Sequence, residues 1–241
     1  MPVTRYRTGV ILVLAAGLLW SVMGLALRHI HTADTWQILF YRSLGMVPVL
    51  LAFIAWRSGG SPWPRLRRAG WAGVIGGLGL VLAFAGAIYA IQTTTVANAV
   101  FLFAASPFFT AVLSRLVLGE TVRRATWMSI AIAAVGMLIM VREGLAAGEL
   151  AGNLAALASA MGFTGFTLAL RWSTLEETTP AVALGGIFAV LVAAAVCLFR
   201  GTGLVVPLPD AGIAFGMGAM VLSGGMICYT PGGRVDPRPW S

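Results

Sequence analysis

Apolar runs of about twenty residues recur along the chain and leave little of it for anything else. A bilayer core roughly 30 Å thick requires about 20 apolar residues in a helix that rises about 1.5 Å per residue. We count eight such runs, at 9–27, 36–56, 71–91, 96–118, 126–141, 152–170, 182–199 and 211–229. The sequence therefore predicts an all-α fold, a polytopic membrane helix bundle with eight transmembrane helices.

The composition agrees with lipid as the solvent. Hydrophobic residues make up 59% of the chain and charged residues 10%, and the mean hydropathy is +0.91. Too little polar surface is left to cover a water-soluble globule. The net charge of +8 comes with no basic helix face or arginine-and-aromatic groove of the kind that nucleic acids need, so we expect no nucleic-acid partner.

The arginines predict an orientation. All sixteen basic residues are arginines, and with a cytoplasmic N-terminus eleven of them fall in inner segments and three in outer ones. Such a bias is typical of cytoplasmic loops that face anionic lipid. We predict a multi-pass protein of the cell membrane, of the bacterial inner-membrane type, with its N-terminus in the cytoplasm and membrane lipids as partners.

Two pairs of segments indicate an internal repeat. GVILVLAAGLLWSVMGLALR (9–28) aligns with GNLAALASAMGFTGFTLALR (152–171) at a shift of 143, and residues 69–80 align with 211–222 at a shift of 142. Chance similarity between Ala/Leu-rich helices is the alternative. A unit of five helices must cross the membrane in opposite senses in its two copies, which is the inverted plan of many transporters.

The repeat predicts the domain organisation. Residues 1–145 form a first five-helix unit, 146–230 an incomplete second unit of three helices, and 231–241 a polar, non-helical tail. Because the proline- and glycine-rich tail begins where two more helices are expected, we interpret the chain as a truncated or frame-shifted form of a ten-helix protein. A second copy of the chain could supply the missing helices by homo-oligomerisation.

Several segments of the chain resemble a known protein family. The fourth helix of the EamA-like branch of the drug/metabolite transporter superfamily is similar to residues 93–120 of this chain, TTTVANAVFLFAASPFFTAVLSRLVLGE. Residues 40–43 in the second span and 127–136 in the fifth span are also similar to the corresponding segments of that family. The resemblance implies ten helices in two inverted halves around a central cavity. It also implies transport of small organic metabolites or drugs by alternating access. The tail after Tyr229 departs from the family pattern, so an inactive form is the alternative.

Pro107 interrupts the fourth apolar run near its centre. Proline has no N–H, so the Phe103 carbonyl loses its helical partner and the helix kinks. In lipid such a carbonyl must face protein or a water-filled cavity. At 100° per residue, the stripe beside the kink contains Asn98, Leu102, Ala105 and Phe109, with Ser106 at its edge. We predict that this stripe and Pro107 form a wall of the substrate cavity; a packing kink without a ligand is the alternative.

Arg42 and Trp20 are the other candidate binding residues. Arg42 lies six residues beyond Trp36, about 9 Å into its helix, where a charge is expensive unless it meets an anion or snorkels to the headgroups. Both readings stay open, and the first favours a carboxylate on the substrate. Trp20 lies near the centre of the first span, where its indole N–H requires a partner or lines the cavity, and the repeat matches it with Phe163, for which core packing is the simpler reading.

Two further features have structural interpretations. Glu120 closes the fourth span among arginines, and we interpret it as an interfacial ion pair rather than a proton-coupling site. Glycines in the third span (Gly73, Gly76, Gly77) and in the last (Gly212, Gly216) predict close helix contacts.

Other functional classes find little support. No span contains a histidine, and no pair of aspartates lies within the spans, so an intramembrane protease is not indicated. We predict no catalytic site, no cofactor and no metal, and read Cys197 and Cys228 as small apolar residues. The remaining rival to a transporter is a structural or signalling membrane protein without a substrate path.

Overall fold

The computed structural model describes residues 3–121, 123–146, 149–173 and 178–232, and all regular structure in them is helical. The predicted tail lies outside the described residues except for its first two positions. The helices are α1 (Val3–Arg28), α2 (Thr35–Ser58), α3 (Trp63–Arg68), α4 (Gly70–Thr93), α5 (Val96–Phe103), α6 (Ser106–Leu118), α7 (Arg124–Ala146), α8 (Leu150–Trp172), α9 (Thr179–Arg200), α10 (Leu208–Gly216) and α11 (Ser223–Gly232), and a π-helical segment, Met217–Leu222, joins the last two.

The helices confirm the predicted polytopic bundle. Seven stretches of the described residues are long and apolar enough to cross a membrane, among them α5 with α6 and α10 with most of α11. The remaining predicted span corresponds to α7, whose apolar part, Arg124–Ile139, is shorter. In lipid every backbone polar group needs an internal partner, and helices meet this need without a neighbour.

One helix was not predicted. α3 lies between two spans, buries Leu66, leaves Trp63 55% exposed, and places the Arg67 guanidinium 5.4 Å from the Trp63 ring. Six residues are too few for an apolar period to stand out in the sequence, which is why the sequence does not predict this helix.

Polar contacts between helix ends show that neighbouring spans alternate in direction. At one end, Thr35 donates to Gln92 (2.6 Å), Thr94 donates to Glu149 (2.5 Å), and Thr32 donates to Asp210. We call this end the Glu149 face. At the opposite end, which we call the Arg171 face, Arg171 of α8 meets the carboxylate that follows α6.

Glycines set the distance between the central helices. A Cβ added at Gly79 of α4 would lie 2.7 Å from the carbonyl oxygen of Gly162 in α8, and one at Gly77 would lie 3.2 Å from the backbone nitrogen of Gly185 in α9. Close backbone approach of this kind is typical of membrane helix pairs. The α4–α8 and α4–α9 contacts therefore form the centre of the bundle, as the glycines of the third span predicted.

The glycine prediction for the last span was wrong in position. A Cβ at Gly212 or Gly216 would meet nothing within 4 Å. The close contacts come two and nine residues after Gly216, where Gly218 lies against the backbone carbonyl of Arg42 and Gly225 against the Trp20 ring. The π-helical segment changes the phase of the helix at this point, so a periodicity counted from Gly212 does not identify the contacting face.

Candidate functional site

The helix breaks where Pro107 predicted it. α5 ends at Phe103, α6 begins at Ser106, and Ala104 and Ala105 form a turn between them. Around the break, the carbonyl oxygen of Ser106 accepts hydrogen bonds from Thr110 Oγ1 (2.8 Å) and from Thr164 Oγ1 of α8 (3.2 Å). The first turn of α6 is thus tied to the neighbouring helix α8.

An open cleft begins at this break and extends to the Arg171 face. Its volume is about 480 Å³, within the range of small-molecule sites. It is lined by Ser106, Pro107, Thr110, Ala111, Ser114, Glu120, Thr121, Arg123, Thr126, Phe163, Thr167 and Arg171. Six of these residues carry hydroxyl groups, and Phe163, whose side chain is 47% exposed, supplies an aromatic surface. The cleft can therefore donate and accept hydrogen bonds around an organic molecule.

An ion pair lies at the mouth of the cleft. The Arg171 Nη1 atom is 3.1 Å from Glu120 Oε2, and both side chains are about half exposed. This confirms the predicted ion pair but with a partner from another span. The sequence suggests the arginines near Glu120 in the chain as its partners. Because α6 and α8 run parallel and end at the same face, the partner is Arg171 instead.

The opposite end of the same helix pair is closed by polar contacts. Asn98 Nδ2 donates to Glu149 Oε2 (3.3 Å), and Thr94 Oγ1 donates to the same atom and approaches Asn153 Oδ1 (3.3 Å). These bonds join the start of α5 to the start of α8. Asn98, predicted as a cavity residue, therefore lies at the Glu149 face and binds a neighbouring carboxylate.

The predicted stripe is not an open wall along its length. Leu102 and Ala105 are 0% and 1% exposed, and α5 packs against α8 here. Phe109 is half-buried and does not line the cleft. The physical reason is the break itself, because residues after Ala105 no longer continue the angular progression of α5. Of the predicted residues on these two helices, Ser106 and Pro107 reach the cleft.

Arg42 is turned inward. Its side chain is fully buried, its Nε, Nη1 and Nη2 atoms have no hydrogen-bond partner among the described residues, and its Cζ atom lies 4.4 Å from the centre of the Phe84 ring. This arrangement is not snorkelling, which had been the alternative. Arg42 does not line the cleft, and α4 carries the ring that covers it.

Trp20 lies on the other side of the bundle. It is 40% exposed, and its indole nitrogen is directed at Gly225 of α11, where any side chain would collide with the ring. Trp20 is thus a packing contact between α1 and α11 and does not line the cleft. Its counterpart in the repeat, Phe163, for which core packing was the simpler reading, does line it.

Sequence reasoning missed the hydroxyl groups of α6 and α8. Thr110 is four residues from Ser106, and Thr167 is three residues from Thr164, so each pair shares a helix face. This spacing of hydroxyl groups within two apolar runs was a usable signal. Among the described residues, no three His, Cys, Asp or Glu side chains lie together as a metal site.

Comparison with known proteins identifies the family. The model of the EamA-like transporter family matches residues 7–142, more than half of the chain. The curated protein named "Pseudopaline exporter CntI", from Pseudomonas aeruginosa strains UCBPP-PA14 and PAO1, is 29% identical over 186 residues, which cover 74% of this chain and 62% of the relative. The chain thus spans less than two thirds of the length of these relatives. No solved structure gives a significant match. The chain belongs to the EamA-like transporter family of the drug/metabolite transporter superfamily.

Proposed function

We propose that the protein carries small organic molecules across a membrane through the cleft between α6 and α8, by alternating access. The observation that carries the proposal is the asymmetry of this helix pair. Toward the Arg171 face it encloses about 480 Å³ lined by hydroxyl groups, whereas toward the Glu149 face Asn98 and Thr94 hold it closed. A site open to one side only is the state that alternating access requires.

The break at Ala104 and Ala105 supplies the moving joint. No continuous helical hydrogen-bond ladder links α5 to α6 there, so α6 can change its angle while α5 stays bound to α8. Closing α6 onto α8 at the Arg171 face, with release of Glu149 from its partners, would expose the same hydroxyl groups to the opposite side.

Helix pairing supports an inverted architecture. α4 packs on α8 and α9, while the helix formed by α10, the π-helical segment and α11 packs on α1 and α2. At the repeat shift of about 142 residues, α1 corresponds to α8, α2 to α9, and α4 to the α10–α11 helix. Each pair in the first set therefore has a counterpart in the second, as two oppositely oriented units would produce.

The distribution of positive charge supports an orientation. Most arginines of the loops and helix ends lie at the Arg171 face, so we place this face in the cytoplasm of a bacterial-type inner membrane. The cleft then opens to the cytoplasm, which suits export. The relatives are named for export of pseudopaline; for this chain we propose a small organic metabolite or drug, with lipids, and a second copy of the chain, as its other partners.

A membrane protein without a substrate path is the second candidate. The buried Leu102 and Ala105 favour it, because they fill the middle of the predicted cavity wall. The open cleft beside Pro107 favours transport instead. Efflux from proteoliposomes that contain the purified full chain and a mixture of metabolites separates the two: carriage predicts loss of specific solutes, and an absence of selective loss supports the structural role.

The cleft offers a matched pair of variants for this assay. Thr167→Trp fills the hydroxyl-lined space, and Leu191→Trp places the same side chain at an exposed apolar position of α9, away from the cleft. We expect efflux to fall with the first substitution and to stay near wild type with the second. Equal efflux from both variants would contradict the assignment of this cleft.

A further inference from the structure

Arg42 is a buried cation without a counter-ion in the part of the chain that the structure describes. It lies seven residues after the start of α2, about 10 Å from the Glu149 face. Its side chain is fully buried, and none of its three nitrogen atoms has a hydrogen-bond acceptor. A charge held this way at membrane depth is costly unless an anion joins it.

The protein does not supply that anion from its described carboxylates. Asp34 accepts from the first backbone N–H groups of α2, and Asp210 accepts from Thr32 and Ala33. Glu120 pairs with Arg171, and Glu149 binds Thr94 and Asn98. The four acidic side chains that the structure describes are thus engaged elsewhere.

The surroundings of Arg42 leave its donors available. Phe84 lies against the face of the guanidinium, 4.4 Å from Cζ. A ring on this face uses the cation–π interaction and leaves the N–H groups at the guanidinium edge unoccupied. Phe84 itself is only half-buried, so the residue that covers the guanidinium is partly exposed at the surface of the bundle.

The neighbouring helix is irregular at the same level. Gly218, inside the π-helical segment, lies against the backbone carbonyl of Arg42, and a Cβ at this position would collide with it. π-helical turns inside α-helices are frequent at functional sites. The helix beside Arg42 is thus irregular at the level of the buried guanidinium.

We propose that Arg42 is an anion subsite outside the cleft between α6 and α8, that its ligand is an organic monocarboxylate, and that Phe84 covers the guanidinium while the subsite is empty. The planar fork of an arginine matches the two oxygens of a carboxylate. A single guanidinium neutralises one negative charge, so a dianion such as phosphate would keep an uncompensated charge in an apolar site. Because Arg42 does not line the cleft proposed for transport, this subsite goes beyond the transport function and is tested separately from it.

Binding to the purified full chain tests the subsite apart from transport. The probes are benzoate and its neutral isostere benzamide, at equal concentrations, with melting temperature as the readout. We expect benzoate to raise the melting temperature and benzamide and inorganic phosphate to leave it unchanged. Arg42→Gln should weaken benzoate binding by about tenfold or more, the loss typical when one partner of a buried charge pair is removed.

Matched variants complete the test. Arg42→Lys keeps the charge but not the fork and should bind with intermediate strength, while Arg57→Gln, on the same helix, should bind as wild type does. If Arg42→Gln does not fold, Arg42→Met serves in its place. Equal stabilisation by benzamide, preference for phosphate, benzoate binding that persists in the Arg42 variants, or no stabilisation of the wild type would each overturn the proposal. Arg42-dependent benzoate binding without any efflux would contradict the transport function alone.

Discussion

The Glu120 carboxylate and the Arg171 guanidinium lie 3.1 Å apart and join the segment after α6 to the end of α8 at the mouth of the cleft. Both side chains are about half exposed, so water screens the pair. Its importance therefore lies in the position of α6 relative to α8 and not in overall stability.

Removing this ion pair should change stability little. We expect Arg171→Gln to alter the free energy of unfolding by less than about 1 kcal/mol, as for other exposed pairs. Efflux should change more, because α6 loses its restraint. The exchanged variant Glu120→Arg with Arg171→Glu should recover wild-type efflux; strong destabilisation by Arg171→Gln, measured by thermal unfolding in detergent, would show that the pair is structural.

Replacing Arg42 by an apolar residue should stabilise the empty protein. Arg42→Met removes a buried charge with no described counter-ion and fills a similar volume. Replacing buried ion pairs by apolar residues of similar volume is neutral or stabilises by about 1–4 kcal/mol, and an unpaired charge costs more to bury than a paired one. The control is Leu39→Ala on the same helix, where the buried side chain is uncharged. This substitution should lower the free energy of unfolding by about 2–5 kcal/mol. A lower melting temperature for Arg42→Met would indicate that Arg42 holds the fold together.

Two glycines of α8 should respond oppositely to the same substitution. A Cβ at Gly162 would lie 2.6 Å from the backbone nitrogen of Ala83, whereas one at Gly165 would meet nothing within 4 Å. We expect Gly162→Ala to lower stability by about 1–3 kcal/mol through overpacking. Gly165→Ala should be neutral or stabilising by up to about 1 kcal/mol because alanine favours helix. Similar melting temperatures for the two variants would contradict the α4–α8 contact.

Restoring an ordinary helix at the break should impair transport. Pro107→Ala returns an N–H to the chain and allows the hydrogen-bond ladder to run from α5 into α6. We expect a folded protein with reduced efflux. Pro48→Ala is the control, since α2 continues through Pro48 without a break. Unchanged efflux in Pro107→Ala would show that the joint does not move during transport.

The sequence predicted the bundle well because lipid imposes simple demands on it. Helix lengths follow from membrane thickness, and the break at Pro107 follows from a missing N–H. The contacts across helices were harder to predict. The phase of α6 after the break, and of the last helix across its π-helical segment, shifts which residues face inward, so Leu102 is buried and Gly212 meets nothing.

The candidate site was only half predictable for the same reason. Ser106 and Pro107 reach the cleft because they lie at the break itself. Whether Thr110, Phe163 and Thr167 line the cleft depends on which face of α8 packs against α6. That contact joins segments far apart in the chain, and a single sequence does not predict it. Arg42 was identifiable as a charge at membrane depth, but the direction of its side chain depended on Phe84 of α4.

Reversible cross-linking of α6 to α8 tests the proposed path most directly. In a background with Cys197→Ala and Cys228→Ala, the pair Glu120→Cys and Arg171→Cys replaces the two ends of the ion pair. Efflux from proteoliposomes is followed before reaction with a bifunctional methanethiosulfonate, which bridges the two thiols through cleavable disulfides, after this reaction, and after reduction. The single substitution Arg171→Cys is the control. The account predicts that the cross-link stops efflux and that reduction restores it in the double variant only. Efflux that continues unchanged through a verified cross-link would contradict passage through this cleft.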